Sequence, residues 1–145
     1  MDPFQFLLLA EWLLKNARHP AGFRSAVSRA YYAAHHFVRI SVESTGVHVK
    51  GGAEAHADVW NHLANTDDAE IEQAGSDLST LHSERNQADY RLDKTHIQNE
   101  QTTITLVTEA RELIEVVRRC RADSSRWEKV SKAIRARNAA LRGIR

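Results

Sequence analysis

The sequence has few of the residues that cross-link or interrupt a chain. Its one cysteine, Cys120, cannot form a disulfide within the chain and is compatible with a reducing compartment. Its two prolines, Pro3 and Pro20, both lie in the first twenty residues, and three of the six glycines cluster at positions 46, 51 and 52. Apolar residues have helical spacing almost everywhere, and no run shows the alternation typical of a strand.

Long apolar runs are also missing from the sequence. No segment approaches the ~20 apolar residues that a bilayer-spanning helix requires. The opening residues, MDPFQFLLLAEWLLK, place an acid before a short apolar run and offer no small-residue cleavage site, unlike a signal peptide. A length of 145 residues, 42% hydrophobic and 27% charged, is typical of one soluble globular domain. We therefore expect a cytoplasmic protein.

The net charge of +1 conceals an asymmetry along the chain. Residues 1–120 hold 12 Lys/Arg and 17 Asp/Glu, whereas residues 121–145 hold 8 Lys/Arg and 2 Asp/Glu. We expect a helical bundle over residues 1–121 and a basic helical extension over residues 122–145. Such an arm binds nucleic acid or docks on the acidic body or a second subunit, and the sequence favours neither interpretation.

The apolar spacing predicts an all-α, up-and-down bundle of about five helices followed by the basic C-terminal helix. Capping patterns place helix starts at Asp2, Asp67, Thr95 and Ser125. The predicted core includes Leu9 on the first helix and Ile104 on the fifth. The predicted helices span residues 2–17, 23–43, 53–63, 67–88, 95–121 and 125–142.

One arginine of the fourth helix lies on the line of a core face. The spacing of Leu78 and Leu81 continues to Arg85 and Ala88. A lone buried charge is costly, so Arg85 must meet a carboxylate, a backbone terminus or a ligand phosphate. A salt bridge to Asp89, one turn on, is the structural interpretation, and a bound phosphate is the functional one.

The second helix carries a polar line opposite its core face. A histidine beside arginines and a tyrosine could hold a phosphate or transfer a proton near neutral pH. A solvated face or a polar dimer seam explains the pattern equally well. The polar line consists of Ser25, Arg29, Tyr32, His36 and Arg39.

Metal and cofactor sites are not predicted. His56 and His62 in EAHADVWNH are six residues apart and lack the spacing of zinc peptidase helices. The stretch KGGAEA lacks the Gly-Lys-Ser/Thr ending of a phosphate-binding loop. Serine placement shows no nucleophile pattern, and Cys120 falls on the predicted inner side of its helix.

Two stretches together resemble the HEPN superfamily, the small helical domains named for higher eukaryotes and prokaryotes nucleotide binding. SRAYYAAHHF (28–37) is similar to the family's central-helix signature, with His36 at the place of its final histidine. ERNQADY (84–90) is similar to a second signature, an arginine followed by Ala-Asp-Tyr. His56 matches a recurrent histidine after the glycine loop. The resemblance covers residues 5–120 and excludes the basic tail.

The resemblance implies a helical bundle that is often dimeric. Many members are metal-independent endoribonucleases, including toxins paired with nucleotidyltransferase-type antitoxins and antiphage effectors. An arginine and a histidine separated by four to six residues form the active site, where histidine helps deprotonate the ribose 2′-hydroxyl and arginine stabilises the phosphorane. In this chain those histidine positions hold Tyr90, Arg91 and Leu92, and tyrosine, with a pKa near ~10, is a poor general base at neutral pH.

Three hypotheses remain open. In the first, the chain is an RNA-directed endoribonuclease that acts as a homodimer. Arg85 binds the scissile phosphate, and Asp89 orients Arg85 or a neighbouring residue. Tyr90, His36 or His82 lines the cleft. In the second, a non-catalytic HEPN module binds a nucleotide or a partner protein such as a nucleotidyltransferase. In the third, the polar lines of a helical scaffold are dimer contacts. The residues expected to contact RNA phosphates are Arg29, Tyr32, Arg39, Lys129, Lys132 and Arg135.

Overall fold

The computed structural model describes residues 1–143, which contain six α-helices and no strand. This confirms the predicted all-α helical bundle. Ile144 and Arg145, which belong to the predicted extension over residues 122–145, lie outside the described residues. Two short 3₁₀ turns, Gly52–Glu54 and Thr95–Gln98, precede α3 and α5. The helices are α1 (Phe4–Asn16), α2 (Pro20–Glu43), α3 (Ala55–Asn61), α4 (Ala69–Tyr90), α5 (Glu100–Ala122) and α6 (Ser124–Gly143).

Helix α2 lies at the centre of the bundle and packs against α1, α3, α4 and α5. Much of its buried surface is alanine, and small side chains allow neighbouring helices to approach closely. At its start, a Cβ added to Gly22 would overlap the carbonyl oxygen of Ala17, so the tight turn from α1 requires glycine. The buried alanines of α2 are Ala26, Ala30, Ala33 and Ala34.

The start of α4 differs by one residue from the predicted cap. Asp67 adopts a left-handed backbone with φ of 58°, so it cannot occupy the extended conformation of an N-cap. Asp68 is extended instead, and its carboxylate accepts a hydrogen bond from Ile71 N at 3.2 Å. The predicted cap at Asp67 is therefore wrong by one position.

Two other predicted caps are wrong for a related reason. The segment from Thr95 forms a 3₁₀ turn, and Asn99 caps α5 by accepting from Thr102 N at 3.1 Å. The α6 cap is Asp123, whose carboxylate accepts from Arg126 N at 3.1 Å, and Ser125 lies inside the helix. In both places the true cap is a nearby Asn or Asp that the Ser/Thr-x-x-Glu/Gln pattern does not select.

Two residues predicted for the core lie at the surface. Leu9 is 43% exposed and Ile104 is 37% exposed. Among residues 1–143, helix α1 packs mainly against α2 and α5, so it buries only a narrow stripe, which contains Leu7 and Ala10. The sequence prediction assumed a wider buried face.

Helix α6 docks on the acidic body, which was one of the two interpretations of the basic tail. Val130 and Ile134 are buried against the bundle. Arg126 Nε lies 2.6 Å from an Asp68 carboxylate oxygen, and its Nη2 lies 3.0 Å from Glu70. Over residues 1–143, no helix is both long and apolar enough to cross a bilayer.

Candidate active site

The guanidinium of Arg85 lies among three tyrosine rings. Arg85 is 4% exposed, and its Cζ is 5.3 Å from the Tyr31 ring centroid, 5.2 Å from Tyr32 and 5.9 Å from Tyr90. These distances are within the range of cation–π attraction. Helix α2 supplies Tyr31 and Tyr32, and the last turn of α4 supplies Tyr90. The predicted burial of Arg85 is thus confirmed.

The buried arginine has little polar contact with protein. Within the described part of the chain its charged partner is Asp89, and the 3.7 Å separation of Nη1 and Oδ2 is too long for a hydrogen bond. Arg85 Nε is buried and has no hydrogen-bond partner among residues 1–143. Asp89 also accepts a hydrogen bond from Ser28 Oγ at 3.1 Å. Arg85 therefore keeps hydrogen-bonding capacity that residues 1–143 do not satisfy.

A second buried arginine, which the sequence analysis missed, has the opposite character. Arg24 donates through both Nη atoms to five carbonyl oxygens at 2.7–3.4 Å, although its Nε is also unpartnered. Those carbonyls form the end of α4 and the following turn, where helical acceptors lack partners. Arg24 is therefore structural. The acceptors belong to Gln87, Ala88, Arg91, Leu92 and Lys94.

Three histidines from three helices stack beside Tyr31. His56 of α3 lies between His35 of α2 and His82 of α4, with ring centroids 4.8 Å from each. The Tyr31 ring is 5.4 Å from His82. The sequence analysis did not connect Tyr31 or His56 with Arg85, because the chain separates His56 from Arg85 by nearly thirty residues.

The Tyr31 hydroxyl links two of these histidines. Its oxygen is 2.6 Å from His56 Nδ1 and 3.3 Å from His35 Nδ1. A hydroxyl has one proton, so it donates to one Nδ1 and accepts from the other. When both hydrogen bonds are present, one histidine therefore has a free Nε2 lone pair while the other carries its proton on Nε2.

The cluster keeps its histidines neutral. Burial, assisted by the neighbouring His56, lowers the pKa of His35 to about 3, and burial together with His56 and Arg85 lowers the pKa of His82 to about 4. The pKa of His56 is lowered by burial and then by the Arg85 charge. Burial raises the pKa of Tyr31, which stays protonated. Neutral imidazoles beside a guanidinium can accept a proton near a bound phosphate.

The structure brings most of the predicted site residues together. Asp89, Tyr90 and His82 surround Arg85 as described above. The His36 ring stacks on Tyr32, with centroids 5.9 Å apart, and burial lowers its pKa. The Arg29 guanidinium also contacts Tyr32, with its Cζ 5.3 Å from the ring centroid.

Three predicted phosphate contacts lie outside this cluster, and a fourth, Arg39, lies at its edge beside His36, whose pKa is lowered by burial and then by the Arg39 charge. Arg39 pairs with Glu43 on its own helix at 3.0 Å. Lys129, Lys132 and Arg135 are exposed on α6, which packs against α5, and Arg135 pairs with Glu128 at 3.2 Å. They can contact RNA only as a separate surface from the Arg85 cluster.

No group of three or more His, Cys, Asp or Glu side chains in residues 1–143 is arranged to hold a metal ion. Comparisons with protein-family models, curated proteins and solved structures found no match to this chain.

Proposed function

We propose that the chain is a HEPN-type protein that cleaves RNA without a metal ion. The observation that carries the proposal is the Arg85 guanidinium, which is buried among rings, poorly paired, and close to neutral histidines. A buried cation without a matched carboxylate is costly, and a phosphate oxygen would satisfy it. The sequence motifs around Arg85 and Tyr31 support the same proposal.

Each residue has a distinct role in the proposed reaction. Arg85 stabilises the negative charge of the phosphorane, and Asp89 orients Arg85. His56 or His82 replaces the histidine that the family places where Tyr90 stands, because both are neutral and close to Arg85. The histidine takes the proton of the ribose 2′-hydroxyl, whose oxygen attacks the phosphorus. The P–O5′ bond breaks, so the products are a 2′,3′-cyclic phosphate and a 5′-hydroxyl, which takes its proton from water.

Tyr90 acts by moving rather than by transferring a proton. It is 71% exposed, whereas Tyr31 is fully buried and Tyr32 half-buried. Its ring covers one side of the guanidinium, so a rotation of Tyr90 would open Arg85 to a phosphate. Its loss would therefore change RNA affinity more than the pH dependence of cleavage.

A second copy of the chain and the basic tail complete the proposed assembly. Apolar side chains exposed on α1, including Leu8 and Trp12, support pairing as a homodimer. Exposed Lys129 and Lys132 on α6 support non-specific attraction to RNA, which would weaken as salt is added. A nucleotidyltransferase-type partner and a role in a toxin–antitoxin or antiphage system follow from the family resemblance alone. A cytoplasmic location is proposed from the globular composition and the single cysteine of the chain.

The second candidate is a HEPN module that binds a nucleotide or partner protein without cleaving RNA. The 4% exposure of Arg85 favours it, because a phosphate reaches the guanidinium only after a ring moves. The tyrosine at position 90 favours it too, since the expected histidine is missing there.

Incubation of structured RNA with the purified protein in EDTA separates these candidates. Wild type should cleave and leave cyclic phosphate ends, and Arg85→Ala should lower the rate by roughly 10²–10³-fold, as expected for the loss of one transition-state donor. Arg18→Ala is the matched control, because Arg18 forms an exposed ion pair with Glu100 and should keep full activity.

Absence of cleavage by wild type, with RNA binding retained, would rule out the endoribonuclease and favour the binding module. Equal cleavage by wild type and Arg85→Ala would show that Arg85 is not the phosphate-binding residue.

A further inference from the structure

A polar cleft lies between α6 on one side and α3 with its flanking residues on the other, outside the Arg85 cluster. Its volume is about 410 Å³, within the range of small-molecule sites. One wall comes from the C-terminal half of α6 and the other from the segment between α2 and α3 and from α3 itself. The lining residues are His48, Lys50, Asp58, His62, Asn138, Leu141 and Arg142.

The base of the cleft is a fixed hydrogen-bonded wall. His62 is 2% exposed, and Arg137 donates from Nη1 to His62 Nδ1 at 3.3 Å. The proton of the neutral imidazole is therefore on Nε2, which lies 3.6 Å from Asp58 Oδ2. Asp58 accepts a hydrogen bond from Lys50 N at 2.9 Å. The carboxylate of Asp58 therefore has one backbone donor and lies near the His62 imidazole.

The mouth of the cleft offers several donors and excess positive charge. Lys50 and Arg142 line it, and Arg137 lies behind His62. Lys50 Nζ is 3.8 Å from Glu54, and both side chains are more than half exposed, so this ion pair is weak. The three cations are Lys50, Arg137 and Arg142. With the two carboxylates of Asp58 and Glu54, they give the cleft and its rim a net charge of +1. The Asn138 amide and the His48 imidazole provide further N–H donors.

We propose that this cleft binds the phosphate of a nucleotide, either the end of an RNA strand or a free mononucleotide. Ammonium, guanidinium and imidazole groups converging on one site are the donors that phosphate requires. Leu141 provides an apolar surface for the sugar or base, and Asn138 provides an amide that can pair with a base edge. The proposal does not depend on RNA cleavage at Arg85.

The test uses isotopically labelled Arg85→Ala protein in EDTA, so RNA is not consumed by the proposed activity. It is titrated with AMP and, separately, with a 5′-phosphorylated single-stranded RNA of six nucleotides. The Asn138 side-chain amide and the His48 ring signals report on the cleft. We expect the probe that binds to shift both, and Lys50→Gln/Arg142→Gln to raise its Kd at least tenfold.

The matched control is Lys15→Gln/Arg18→Gln, which removes the same charge from a different cleft, formed by α1 and α5. Its Kd should change less than twofold. Shifts with AMP would identify a free-nucleotide site, and shifts with RNA alone would identify a strand-end site. Unchanged Asn138 and His48 signals with both probes, or equal Kd values for the cleft variant and the control, would overturn the proposal. Failure of RNA cleavage by the Arg85-intact protein would leave these shifts unaffected.

Discussion

At the scale of single residues, the two buried arginines show that burial alone does not decide whether an arginine is structural or functional. Arg24 and Arg85 are similarly inaccessible, yet Arg24 donates to five carbonyls whereas Arg85 has a single distant carboxylate. A satisfied buried arginine stabilises a fold, and an unsatisfied one costs free energy unless a ligand completes it. The difference in partners, not in exposure, is the reason for assigning function to Arg85.

Tyr31→Phe tests the hydroxyl that links His35 and His56. Tyr31 is fully buried, and loss of its hydroxyl leaves one imidazole nitrogen of the buried His35 and one of the half-buried His56 without this hydrogen-bond partner. The free energy of unfolding in urea should fall by about 1–3 kcal/mol. Tyr90→Phe is the control, because Tyr90 is exposed and its substitution should change stability by less than about 0.5 kcal/mol. Equal effects of the two substitutions would contradict the hydroxyl link.

At the scale of elements, α4 depends on α2 for its ending. Helix α4 ends at Tyr90. Carbonyl oxygens of its last turn and of the residues after it accept hydrogen bonds from the Arg24 guanidinium of α2. The same end of α4 carries Arg85, Asp89 and Tyr90. The Arg24 contact therefore positions the candidate active site as well as the turn into α5.

Arg24→Gln should loosen this end of α4. A glutamine has one amide in place of the guanidinium fork, so most of the five carbonyls lose their donor, and stability should fall by about 2–4 kcal/mol. Hydrogen exchange should accelerate chiefly over residues 87–94. Arg18→Gln, which breaks only an exposed ion pair, should change stability by less than about 1 kcal/mol. Unchanged exchange over residues 87–94 would show that α4 ends independently of α2.

At the scale of the whole molecule, five of the eight histidines have a lowered pKa. Burial is the largest cause for each of them, so the fold holds them neutral where the unfolded chain protonates them. Four belong to the Arg85 cluster, and the fifth lies at the base of the cleft beside α6. They are His35, His36, His56, His82 and His62.

Stability should therefore decrease on acidification below pH 6.5. The pKa is about 3 for His35 and about 4 for His82, against an unfolded value of 6.5. The unfolded chain binds more protons between these values, so the stabilisation is complete above pH 6.5 and is lost as the pH falls toward about 4. Each fully buried histidine contributes at most about 1.4 kcal/mol per pH unit, and the partly exposed His82 contributes less.

Urea unfolding at pH 7.5, 6.5, 5.5 and 4.5 measures this dependence. His82→Gln should flatten the curve relative to that of the wild type, because it removes one histidine whose pKa the fold lowers. Between pH 6.5 and 5, the change in stability reports the protonation of histidines rather than of carboxylates such as Asp68. The hydrogen bond from Arg126 lowers the pKa of Asp68 below its ordinary value of 3.8. A curve that is flat over this interval would contradict neutral histidines in the fold.

The sequence by itself determined the all-α bundle, the burial of Arg85 and the basic character of α6. The spacing of apolar residues along the chain predicts the helices and their buried positions, and the composition predicts the charge of α6. It misplaced three helix caps, because several Asp, Asn, Ser and Thr residues compete at each start and the backbone conformation selects among them. It also placed Leu9 and Ile104 in the core, since the width of a buried face depends on how many helices surround it.

Only the tertiary structure decided which polar side chains meet. Helix α3 brings His56 against Tyr31 and places Asp58 and His62 beside α6, although nothing in its sequence distinguishes the two sides. The structure also showed that the Nη atoms of Arg24 donate to five carbonyls, whereas the charged partner of Arg85 among residues 1–143 is a carboxylate 3.7 Å away. Hydrogen-bond partners come from distant parts of the chain, and spacing along one helix carries no information about them. The sequence therefore predicts the helical fold, whereas the arrangement of the candidate site depends on packing between helices.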